Sequence, residues 1–87
     1  MQADHAAVNR LLKTARGQLD GILKMVEEDR YCLDISNQLM ATQAILRRAN
    51  HDILLAHMKG CVRQAAAGEA AEKKLEELEE LLDKLTK

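Results

Sequence analysis

Proline, tryptophan and phenylalanine are absent from this 87-residue chain, and Tyr31 is its single aromatic residue. Without proline, nothing forces a break inside a helix. Without aromatics there is little of the bulk that strands and sandwich cores draw on. The remainder is rich in Leu, Ala, Lys, Glu and Gln, which are strong helix formers, so the chain reads as all-α. No apolar run is long enough to cross a bilayer and no leader is visible, so the expectation is a cytoplasmic protein with no membrane partner. Also missing are a glycine-rich phosphate loop, paired carboxylates in a recognisable cleft and an oriented nucleophile–base pair, so no enzyme is expected. Cysteine is scarce too. In a reducing compartment the two thiols suggest metal or redox sensing, or else two small buried hydrophobes.

Net charge is only −1, which argues neither for nor against a nucleic-acid partner. Its distribution says more. Residues 1–63 hold nine Lys/Arg against seven Asp/Glu, while residues 64–87 hold four against seven, giving a mildly basic body and an acidic tail. A chain this short is one domain, 1–87, with a thin core that oligomerisation, metal or disulfides commonly support.

Three helices follow from the pattern, at about 5–28, 32–65 and 70–86. Asp4 is placed to cap the first. In it Leu12, Ala15, Leu19, Ile22 and Val26 recur at steps of three and four. Gly17 and Gly21 cost this helix up to about 1 kcal/mol each relative to Ala, which suggests that another helix comes close there. Arg10, Lys13 and Arg16 form a basic strip, either a solvated face or a phosphate-contacting one. His5 is a terminal histidine, exposed or a ligand. Residues 66–69 connect to the last helix, with Gly68 as breaker. There Leu75, Leu78, Leu82 and Leu85 form a packing seam, and the acidic residues form a solvated face. Met25, Met40 and Met58 read as core filler rather than thioether ligands.

The central helix carries the chemistry. At about 100° per residue, Ile35, Leu39, Leu46 and Ile53 share one narrow stripe, His57 points the same way, and Cys32 and Cys61 stand at its edge. The cysteines are 29 positions apart, about 43 Å along a straight helix, so they cannot meet within one chain. They can meet if a second copy packs antiparallel about a two-fold axis near Leu46 and Arg47. Cys32 of one chain then approaches His57 and Cys61 of the other. His-x3-Cys puts two donors one turn apart, which is good chelate spacing but weak evidence alone. Two thiolates and an imidazole suit Cu(I). Zinc would want a fourth donor, from water or His5, and Ni(II) or Co(II) would want more nitrogen and oxygen.

The strings Leu12-Lys13-Thr14-Ala15-Arg16-Gly17-Gln18-Leu19-Asp20-Gly21-Ile22, Glu28-Asp29-Arg30-Tyr31-Cys32, Arg48-Ala49-Asn50 and His57-x3-Cys61 resemble the CsoR/RcnR family of bacterial metal-sensing repressors, and within it the copper sensors. The resemblance covers nearly the whole chain. It implies a three-helix protomer, an antiparallel homodimer with a four-helix core, and a pairing of dimers into a homotetramer. It implies operator-DNA binding without a helix-turn-helix, through Arg10, Lys13, Arg16 and Arg48, and a Cu(I) site of Cys32, His57 and Cys61. Tyr31 and Glu77 match the residues that couple the metal-bound histidine to the DNA-binding surface. On this reading Cu(I) releases the operator and derepresses copper-resistance genes. Nickel and cobalt sensors resemble the chain less well, having His where Cys61 stands, and formaldehyde sensors lack the second cysteine. Persulfide sensors keep both cysteines but typically lack the histidine. In that alternative Cys32 and Cys61 form an intersubunit dithiol switch with no metal cofactor.

Overall fold

The computed structural model describes residues 1–65 and 68–85, in three helices: α1, His5–Glu27; α2, Cys32–Ala65; and α3, Glu69–Leu85. Residues 66 and 67 of the expected connection, and residue 86 of the last expected helix, lie outside the described residues.

Local chemistry sets the ends. The Asp4 carboxylate accepts from the Ala6 and Ala7 amides at 2.9 and 3.4 Å, satisfying donors that the first turn leaves open. At the other end of α1, Arg30 N donates to Met25 O and Asp29 N to Val26 O, with Asp29 at φ 54°. That is a Schellman closure with aspartate in the left-handed position usually given to glycine. Tyr31 O then accepts from the Asp34 and Ile35 amides and opens α2. Gly68, at φ 88°, fills the equivalent special position before α3 and accepts from Glu72 N.

The helices pack as two successive antiparallel hairpins. Val8, Ala15 and Ile22, spaced by seven, are buried in α1, as are Thr42 and Ala49, also spaced by seven, in α2. The alanines let the helix axes come close. Thr42 Oγ1 donates to Gln18 Oε1 at 2.7 Å across the hairpin, so its one buried hydroxyl is satisfied. α3 buries Ala71, Leu75 and Leu82 against α2. Two ion pairs fix its direction, Lys59–Glu79 at 3.3 Å and His51–Asp83. Among the described residues α3 makes no packing contact with α1.

The result is a plate measuring 57 × 24 × 12 Å, its thinnest dimension about that of one helix. A single layer cannot enclose apolar side chains on both faces. Accordingly, no large side chain among the described residues is fully buried. Several sequence expectations shift for this reason. Ala15 and Ile22 of the α1 pattern are buried, whereas Leu12, Leu19 and Val26 remain 44–58% exposed. On α2, Leu39 and Leu46 are similarly exposed while Ile35 and Ile53 are intermediate. Leu75 and Leu82 hold the α3 seam, but Leu85 projects into solvent. Met25 and Met58 are half-buried and Met40 is exposed, so Met40 fills no core within the protomer. Nor is the close approach suggested by Gly17 and Gly21 made within the protomer: a Cβ at either would meet nothing within 4 Å.

Candidate metal centre

His57 and Cys61 lie one turn apart near the end of α2, both exposed, with Cys61 Sγ 3.5 Å from His57 Nε2. An i,i+4 pair on a regular helix meets in this way without any other support. Cys32 is the first residue of α2 and is also exposed, with a free thiol. One protomer therefore brings two of the three expected donors together and leaves the third at the opposite end of the same helix.

By helical phase, Leu12, Leu19 and Leu23 on α1 and Leu39 and Leu46 on α2 share one side of the plate. By the same phase His57, Cys61 and Cys32 stand on that side, so the donors share an apolar face that the protomer leaves uncovered. The amino-terminal segment borders it. Gln2 lies over Gly60, where an added Cβ would come within 3.1 Å of Gln2 Oε1. His5 is exposed and lines a shallow apolar cleft with Met1, Asn9, Leu12 and Ile53. Among the described residues no three His, Cys, Asp or Glu of one chain converge as a metal-binding group.

Tyr31 precedes α2 and is 63% exposed, and Glu77 is exposed on α3; among the described residues no hydrogen bond joins either side chain to His57 within the protomer. Arg10, Lys13 and Arg16 are exposed along α1, and Arg48 is exposed on α2. Arg10 and Lys13 sit on the face of α1 turned away from α2, beside Gly17 and Gly21.

One group that the spacing did not single out is His51. Its Nε2 contacts Asp83 of α3 and its Nδ1 lies 3.5 Å from Asp52. The hydrogen bond to Asp83 raises its pKa above the usual histidine value, partial burial opposes this, and Asp52 adds to the rise. Nothing in the sequence pairs a histidine off the apolar stripe with an aspartate 32 positions later.

A family model for metal-sensitive transcriptional repressors matches residues 4–84. The copper-sensing transcriptional repressor CsoR of Mycobacterium ulcerans is 47% identical over 73 residues, 84% of this chain and 62% of that protein. CsoR of Mycobacterium tuberculosis is 46% identical over 81 residues, 90% of this chain and 62% of that protein. CsoR of Bacillus subtilis is 38% identical over 80 residues, 92% of this chain and 79% of that protein. The chain thus spans a little under two thirds of the mycobacterial relatives' length. No solved structure matches.

Proposed function

This chain belongs to the family of metal-sensitive transcriptional repressors, and from that membership we propose that it is a Cu(I)-responsive repressor acting in the cytoplasm. The observation that carries the reading is the exposed His57–Cys61 pair on the uncovered apolar face, in a chain whose relatives are named copper sensors.

The functional unit is an antiparallel homodimer, with dimers pairing further into a tetramer. Two plates stacked on their apolar faces form a four-helix core and hide the half-exposed leucines. The antiparallel register brings Cys32 of one protomer toward His57 and Cys61 of the other, twice per dimer. The donor set fits the metal: two thiolates and one imidazole are soft and few, which suits Cu(I) and is short for Ni(II) or Co(II). Bound Cu(I) would supply a link between donors of two chains.

The chain's own residues do the rest. His57 offers one ring nitrogen as donor, and Tyr31 and Glu77 orient the other. Arg10, Lys13, Arg16 and Arg48 contact operator phosphates in the metal-free form, so affinity falls steeply with salt. Closing the two-chain site favours an arrangement in which those cations no longer match the duplex. The coupling is reciprocal, so operator DNA weakens copper binding by the same factor.

Anisotropy of a labelled operator, with Cu(I) and separately with an organic persulfide, tests this on wild type, Cys32→Ala and His57→Ala. Copper should release DNA from wild type and fail to release it from either variant. Release by persulfide alone, unaffected by His57→Ala, would replace the copper reading with a dithiol switch.

A further inference from the structure

The mechanism above leaves His51 unused. Its imidazole bridges two helices, touching Asp83 in the last turn of α3 and lying 3.5 Å from Asp52 on its own helix. We infer that His51 and Asp83 form a proton-operated latch that seats α3 on α2, firmer in acid and looser in base.

Among the described residues α3 packs on α2 alone, through buried Ala71, Leu75 and Leu82 and half-buried Leu78, and a second ion pair, Lys59–Glu79, pins it farther along α2. His51 is the histidine in the two contacts, the residue type whose charge changes near neutrality. The charged groups facing it are Asp83 from α3 and Asp52 from α2. Arg47 and Arg48 stand one turn earlier on α2, Glu80 and Lys84 beside Asp83 on α3, and α1 packs on another side of α2.

The sign follows from the contacts. Folding raises the pKa of His51 because the imidazolium gains a carboxylate partner. The stabilisation is therefore complete below the ordinary histidine value of about 6.5 and is lost as pH climbs through the raised folded value. Asp83 is 61% exposed, so salt weakens the latch.

The latch stands independently of copper sensing; its bearing on the sensor rests on the proposed function. α3 carries Glu77, and Lys59, which it pins, lies between His57 and Cys61 on α2. A looser α3 would uncouple the site from the rest of the assembly as pH rises.

Hydrogen exchange of the full chain, corrected for the intrinsic pH dependence of exchange, tests the latch without metal or DNA. At low ionic strength, protection of residues 72–83 should fall several-fold between pH 5.5 and 8.5 in wild type, while α1 changes little. In Asp83→Asn and His51→Gln it should be lower at pH 5.5 and flat with pH. The His51 ring signals should titrate above the ordinary value in wild type and move down in Asp83→Asn. Protection that is flat in wild type, or a slope that survives in both variants, would overturn the latch. A confirmed latch in a protein that does not release DNA with copper would leave this inference standing and the sensing reading refuted.

Discussion

Replacing Leu46 with glutamate tests whether the uncovered face is an antiparallel seam. Leu46 lies midway in sequence between Cys32 and Cys61, so a two-fold axis that joins those cysteines across chains places it opposite its own copy. In the protomer it is 43% exposed. Covering the rest recovers a little under half of the roughly 1.5–3 kcal/mol for burying a leucine, about 1 kcal/mol per protomer and about 2 per dimer. Glu gives this up and buries carboxylates without partners, at a further cost of about 1–3 kcal/mol. The total, about 3–5 kcal/mol, weakens the dimer by roughly a hundredfold to several thousandfold. Sedimentation equilibrium at micromolar concentration should show wild type as dimer or tetramer and Leu46→Glu as largely monomeric. Leu85→Glu, at the most exposed large apolar side chain of the plate, is the control and should assemble as wild type does. An unchanged assembly for Leu46→Glu, or a monomeric wild type, would refute the stacking argument.

Other perturbations read the protomer itself. Thr42→Val removes the bond to Gln18 and should cost about 1 kcal/mol in urea unfolding, with Thr42→Ser recovering most of it. Asp29 sits in a left-handed cap, so stability should follow the order Gly, then Asp, then Val, with Val lower than Asp by about 1–2 kcal/mol. Gly17→Ala and Gly21→Ala should each stabilise the chain by up to about 1 kcal/mol, raising the melting temperature by about 4–8 °C per kcal/mol, because an added Cβ meets nothing within the protomer. A fall instead would place another chain or partner against that face.

The helices were legible because their ends carry local chemistry. Asp4, Asp29 and Gly68 act through neighbours within a few residues, which is the range over which sequence speaks clearly. The His57–Cys61 pair was legible for the same reason, since regular helix geometry alone makes it. Burial was less so. The α1 pattern merges two interfaces, one made by Ala15 and Ile22 against α2 and one left open by Leu12 and Leu19, and periodicity does not say which chain covers which residue. His51–Asp83 was invisible because it depends on the register of α3 along α2, and neither residue belongs to an apolar repeat.

The thinness of the plate bears on how the protein comes into being. On the proposed stacking, a chain one helix thick completes its core only against a copy, so folding would be coupled to pairing. That event is second order in chain concentration. While pairs are scarce, doubling the supply of new chains roughly quadruples the folded stock, and halving it empties the stock faster than dilution alone. A homodimer built in the proposed way would have a threshold in its own abundance, set by geometry before any ligand arrives.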